Sequence, residues 1–229
     1  MFNDDSLDAF YRLKRMALQF VPEKDFERIE KGSVQLRFQK GETILKQGNI
    51  PTNVIYLETG VVKFSYENEW RKNLILTIVS APKILGGANL FYKDNNLFSI
   101  VAVEPCAVLM IDAEILLKVL SANAKFAMML YQYASEMFRT SILNFISLAY
   151  KQKEARIADI ILYLSEHVYH GHSFRLSLTR KELSEFAGCS TENVIMTLRR
   201  WQHEEIISCD GKELTINNPE KLKYISKIG

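Results

Sequence analysis

Apolar positions along the chain fall into three successive textures. An amphipathic stretch from about Ser6 to Phe20 predicts an opening helix. From there to about Asp112, short apolar runs such as Thr43–Leu45, Val54–Leu57 and Leu74–Val79 are separated by Gly41-Glu42, Gly48-Asn49, Pro51, Thr59-Gly60, Glu67-Asn68 and Ala81-Pro82. The β-branched run Ser99–Ile111, broken by Glu104 and Pro105, closes this part. Short strands with turn signals every ~8–12 residues predict an antiparallel barrel or sandwich. From about Ser121 to Tyr150 there is no Gly or Pro, and helix formers dominate, which predicts one long helix. In it Leu130, Ala134, Met137, Ser141, Asn144 and Leu148 recur at spacings of 4, 3, 4, 3 and 4, a heptad seam. Periodicity alone fits a core helix or a paired one. Ser141 and Asn144 favour pairing with a second copy, since polar seam residues fix register between chains.

The third texture, Lys151 to Gly229, is helical and ends in a hairpin. Glu154–Glu166 is amphipathic. Thr179-Arg180-Lys181-Glu182 reads as a capping box opening a short helix through Phe186, which Gly188 ends. Ser190 then caps a second helix, Thr191–His203. Two short helices joined by a tight turn form a helix-turn-helix. Ile206–Cys209 and Glu213–Ile216 flank Asp210-Gly211, a strong hairpin signal. Helix, turn, helix and hairpin predict a winged helix-turn-helix. The fold class is α+β, with boundaries at 1–120, 121–150 and 151–229.

Composition narrows the function classes. The 48% hydrophobic and 24% charged fractions exclude intrinsic disorder, and three widely spaced cysteines exclude a disulfide scaffold. No window of ~18 residues is free of charge, so no transmembrane helix is expected. The acidic opening Met1-Phe2-Asn3-Asp4-Asp5 predicts no secretory leader, hence a cytoplasmic protein without membrane contact. Residues 1–150 carry 17 basic and 16 acidic side chains and residues 151–229 carry 12 and 11, so any nucleic-acid contact must rest on local placement of charge. No nucleophile–base pair, phosphate loop or carboxylate dyad appears, which predicts no enzyme.

Phe38–Gly48 resembles the first hairpin of the cyclic-nucleotide-binding β-roll, a double-stranded jelly-roll barrel, and Val54–Lys63 its next pair of strands. Leu85-Gly86-Gly87-Ala88-Asn89-Leu90-Phe91 sits where that fold carries its phosphate-binding cassette. Leu178–Leu183 followed by Gly188–Val194 is similar to the helix-turn-helix of the cyclic-AMP receptor and fumarate–nitrate regulator (CRP/FNR) superfamily. The ordered set, covering roughly residues 20 to 216, identifies the chain as a member. The resemblance implies a transcription regulator: a sensor over 1–120, a dimerisation helix over 121–150 and a DNA-binding head over 151–229. Its partners would be a second copy and double-stranded DNA with palindromic half-sites ~34 Å apart. It also puts the loop Tyr169–Ser173 where relatives touch RNA polymerase.

Members that bind cyclic AMP carry Glu directly after the position of Gly86 and Arg near the cassette's end. Here the first is Gly87, and Asn95-Asn96-Leu97-Phe98-Ser99 contains no Arg. A cyclic phosphate against Leu97 or Phe98 would lose its charge-assisted bond, so cyclic AMP in the usual pose is not expected. Lys93 reads as a solvated turn residue. The effector pocket, if used, would be lined by Gly86, Gly87, Leu97, Phe98, Ser99, Thr140 and Ser141. The last two can bond a ligand, cap carbonyls or face the partner chain. An iron–sulfur cluster is disfavoured because residues 1–105 hold no Cys, and haem because all four His lie beyond the sensor. Cys106 reads as a small buried hydrophobe, and His170-Gly171-His172 as a turn rather than a metal site. No cofactor or metal is expected. An apolar ligand and no ligand at all both remain open.

On the second helix of the motif, Val194, Leu198 and Trp201 form the buried face. Ser190 and Thr191 at its start, Glu192, Met196 and Arg199 are the expected DNA-reading residues. Glu192 accepts from a cytosine amino group, and Thr191 and Met196 touch a thymine methyl. Arg180, Arg199, Arg200 and Lys212 are placed to meet phosphates. Relatives usually present Arg at the positions of Thr191 and Met196, so a less guanine-dependent half-site is expected. The alternative is a β-roll module whose winged head docks on a protein rather than DNA.

Overall fold

The computed structural model describes residues 21–86 and 94–228. The predicted opening helix at 6–20 and the cassette residues Gly87 to Lys93 lie outside the described residues. Contacts gather the chain into two units, Met1–Val62 with Ser80–Arg139, and Lys63–Val79 with Thr140–Gly229.

The first unit opens with α1 (Glu23–Lys31) and is built on strands β1 (Ser33–Phe38), β2 (Thr43–Leu45), β3 (Asn53–Thr59), β6 (Lys83–Leu85), β7 (Ser99–Ala102) and β8 (Cys106–Asp112). One four-stranded sheet has the order β1-β8-β3-β6, and strands β4 (Val61–Glu67) and β5 (Asn73–Ser80) belong to a second, of order β2-β7-β4-β5. The predicted run Ser99–Ile111 divides at Glu104-Pro105, because Pro cannot supply a ladder N–H. Its second half pairs antiparallel with both β1 and β3, Leu109 lying opposite Gln35 and Tyr56.

Alternation along β3 and β8 turns Val54, Tyr56, Leu109 and Ile111 into one core with Phe26 and Ile29 of α1. Asp112 accepts from the Ile115 N–H at 2.9 Å and so starts α2 (Ala113–Ala122), a helix the sequence pattern did not signal. The long helix α3 (Ala124–Tyr150) follows, and its Phe126 joins the same core.

Gly60 turns β3 into β4 at φ +93°, and a Cβ there would lie 2.7 Å from Cys106 Sγ. Both the left-handed backbone and the close approach of β8 demand glycine. The Cys106 thiol is buried, with Sγ 3.1 Å from the Glu104 carbonyl.

The second unit contains the hairpin segment Lys63–Val79 and the C-terminal helices. Helix α4 (Lys153–Tyr163) runs on through a π-helical turn, Leu164–Val168, and the two together span the amphipathic segment predicted at 154–166. Next come β9 (Ser173–Arg175), α5 (Arg180–Ala187), α6 (Thr191–His203), β10 (Ile207–Asp210) and β11 (Glu213–Ile216). A last helix, α7 (Pro219–Ile228), was not legible in the sequence and packs on α4. Asp159 of α4 accepts from Ser147 at the end of α3, from Ser226 of α7, and from Lys151 at 2.9 Å. One carboxylate thereby fixes the bend between α3 and α4. No helix among the described residues is long and apolar enough to cross a membrane.

Burial pushes the Cys106 thiol up to about 11, leaving almost no thiolate near neutrality. Iodoacetamide at about pH 8 should therefore leave Cys106 unmodified in the native protein and alkylate it in urea. Mass mapping that finds Cys106 labelled before unfolding would contradict the packing of β8 on Gly60.

Candidate nucleic-acid interface

Local sequence sets the helix-turn-helix. The Thr179 side chain accepts from the Glu182 N–H at 3.1 Å, and Glu182 Oε2 accepts from the Thr179 N–H at 2.8 Å. That is the predicted capping box, and it starts α5. Gly188 ends the helix at φ +58°, where a Cβ would lie 2.9 Å from Leu148 Cδ2. Two residues later Ser190 accepts from the Asn193 N–H at 3.3 Å and starts α6.

The inner face of α6 holds Val194, Thr197, Leu198 and Trp201, all buried. Trp201 is completely enclosed and donates its indole N–H to Glu154 Oε1 of α4 at 3.0 Å. Glu192, Met196 and Arg199, the expected reading residues, are exposed on the opposite stripe together with His203, Met196 to 69%. At the helix N-terminus, Glu192's own backbone N–H and the Ser190 hydroxyl hold its carboxyl below the usual value. It is an anionic acceptor aimed at water. The Thr191 hydroxyl lies 3.1 Å from Ser184 Oγ, which turns it towards α5.

The wing forms as predicted. β10 and β11 pair in register from Ile207↔Ile216 to Asp210↔Glu213, with Gly211 at φ +58° in the turn. β9 adds a third strand, Phe174 opposite Leu214. Lys212 is exposed at the tip. Arg180 is half-buried at the start of α5.

Arg200, one of the predicted phosphate contacts, is exposed and also has partners within the head. Arg200 ion-pairs with Glu154, the carboxylate oxygen that also accepts from Trp201, and lies 3.9 Å from Glu204. The pair joins α6 to α4 and leaves the Arg200 side chain 51% exposed. Sequence reasoning missed a cation on the other side: Lys153, at the start of α4, donates to Asn193 Oδ1 of α6 at 3.0 Å. Only a separation of 40 residues closed by folding brings it there.

Residues of the expected effector pocket are divided between the units. Gly86, Leu97, Phe98 and Ser99 belong to the first, Thr140 and Ser141 to the second, and Gly87 lies outside the described residues. Leu97 is 76% exposed; Phe98, Ser99, Thr140 and Ser141 are half-buried. Asn96 is buried and donates to the Lys46 carbonyl at 3.2 Å, while the Ser99 hydroxyl accepts from the Gln47 N–H at 3.0 Å. His170 sits in a left-handed turn, with Nδ1 3.0 Å from the Glu166 carbonyl.

The seam predicted on α3 is partly taken up within the chain. Leu130 packs against the first unit's core, and Asn144 donates its amide to the Leu76 carbonyl at 3.0 Å. Met137, Ser141 and Leu148 are half-buried, and Ala134 is exposed. The exposed apolar row is displaced by one position, to Met128, Tyr131, Phe138, Ile142 and Phe145. It keeps heptad spacing and is flanked by exposed Leu143 and Ile146.

Comparison with known proteins agrees with this anatomy. Residues 35–123 match the cyclic nucleotide-binding domain and residues 155–225 the Crp-like helix-turn-helix domain. The chain is 26% identical over 185 residues to the cAMP-activated global transcriptional regulator CRP of Pasteurella multocida, covering 79% of this chain and 88% of that one. It is 26% identical over 189 residues to the transcriptional activator protein Anr of Pseudomonas protegens, covering 80% and 77%. The fold of FixK2 from Bradyrhizobium japonicum superposes with a TM-score of 0.78 at 16% identity, over 86% of this chain and 98% of that one. With the β-roll strands, the long helix and the winged helix-turn-helix all in place, the chain belongs to the CRP/FNR family of DNA-binding transcription regulators.

Proposed function

We propose that this regulator works as a homodimer paired along α3, reads an A·T-rich palindrome with the exposed stripe of α6, and takes no cyclic nucleotide in the usual pose. What carries the reading is the exposed heptad row Met128, Tyr131, Phe138, Ile142 and Phe145. On a 27-residue helix about 40 Å long, such a row is more apolar surface than a monomer leaves in water. Two copies paired there would carry two heads, each with its own α6, suited to half-sites one turn of DNA apart.

Glu192 offers the principal polar discrimination, with Met196 making apolar contact with thymine methyl groups. Arg180, Arg199 and Lys212 meet phosphates, while Arg200 holds α6 in place. Against cyclic AMP stand the absence of Arg from 94–102 and the protein partners already held by Asn96 and Ser99. An anionic phosphate entering there would find no cation among residues 94–102 to offset its desolvation.

Ile142→Glu, with a carboxylate set in the apolar row, should convert a dimer into a monomer in sedimentation, leaving the melting of each head unchanged. A wild-type species of 26.4 kDa at micromolar concentration would refute the pairing. Calorimetry with cyclic AMP or cyclic GMP should give binding no tighter than millimolar, and micromolar affinity would show that another group supplies the cation. Selection of bound DNA from a random pool tests the reading itself. Glu192→Ala should relax preference at one C·G pair by ~1–3 kcal/mol, and Arg199→Ala should weaken all sequences alike and lower the salt slope by about one unit. Arg200→Ala should lower the thermal stability of the head with the slope intact.

A further inference from the structure

Lys63 lies on β4 between buried Val62 and Phe64, with its side chain only 14% exposed. A long cationic side chain so enclosed needs an anionic partner. Its ammonium donates to Glu182 Oε1 at 2.8 Å, across 119 residues of sequence, and Glu182 is itself 16% exposed. The carboxylate is fully committed. Its other oxygen accepts from both the backbone N–H and the hydroxyl of Thr179, the capping box that starts α5. Burial alone would raise the Glu182 carboxyl, but the bonds from Lys63 and Thr179 outweigh it and leave it below the ordinary value.

The rest of the hairpin is bonded to the neighbouring helices. The Tyr163 hydroxyl of α4 donates to the Ile78 carbonyl of β5 at 2.6 Å and lies 3.3 Å from buried Thr77 Oγ1. Its ring packs edge-on against Phe186 of α5, centroids 6.0 Å apart. Asn144 of α3 donates to the Leu76 carbonyl. Three helices are thus tied to one β-hairpin, and the bond to the helix-turn-helix is the Lys63–Glu182 pair. With it closed, Glu192, Met196 and Arg199 face water.

We propose that Lys63 is a positioning residue for DNA recognition: through Glu182 it fixes α5, and with it the turn and α6, in the orientation that presents the reading stripe. The proposal rests on the DNA-reading role given above and adds to it a strand that makes no DNA contact. The test uses the full-length protein and a selected operator, with affinity measured by fluorescence anisotropy at several salt concentrations. Lys63→Met should weaken binding about tenfold with the salt slope unchanged, because no phosphate contact is lost. Glu182→Gln, which can still accept at the cap, should give a similar loss. Lys63→Arg should bind nearly as the wild type does, and the exchanged pair Lys63→Glu with Glu182→Lys should recover part of the affinity. Hydrogen exchange should quicken at the first-turn amides of α5 in Lys63→Met, a readout independent of DNA.

Unchanged or tighter binding by Lys63→Met would overturn the proposal. So would a slope lowered by about one, the mark of a phosphate contact. A wild-type protein that binds no DNA would overturn the DNA-reading role and this inference with it, a result distinct from equal binding by wild type and variant.

Discussion

Trp201 must leave water completely and still place its indole N–H on an acceptor, and the head is arranged around that requirement. Glu154 meets it, and the same carboxylate oxygen then draws in Arg200. Once that side chain is seated against α4, the rotation of α6 about its axis is fixed. A residue every 100° then determines that Val194 and Leu198 go inward while Glu192, Met196 and Arg199 go outward. The outward stripe is the by-product of an inward constraint. What the buried face leaves free is what α6 presents to water.

Charge is handled by the same logic. The head has no large excess of cations, and two that it carries are paired within it, Arg200 on Glu154 and Lys151 on Asp159, while its Glu182 is paired with Lys63 of β4. The pairs of Lys151 and Lys63, both part-buried, contribute modestly to stability but specify one arrangement, because breaking either partner leaves a charge facing a low-dielectric wall. Arg199 and Lys212, by contrast, extend into solvent.

Along α3 two stripes with the same heptad spacing run one residue apart. One is claimed by the chain itself, through Leu130 on the first unit's core and Asn144 on a strand carbonyl. The other carries Phe138, Ile142 and Phe145 in water. Spacing alone gives both stripes equal standing. Intrachain packing decides which one stays in water.

The sequence by itself determined whatever depends on neighbours a few residues apart. The capping box of Thr179 and Glu182, the stop at Gly188, the Ser190 cap, the Asp210-Gly211 turn and the buried face of α6 all follow from spacings of two to seven residues, where local geometry fixes the partner. Tertiary structure decided what depends on partners far apart in the chain. Nothing in the sequence around Arg200 or Lys153 names a partner for either cation; folding brings Glu154 to one and Asn193 to the other. Glu182 was legible as a cap through one oxygen, but its second bond, to Lys63, spans 119 residues. No periodicity records such a pairing, because loop closure and packing set it, and these are properties of the whole chain.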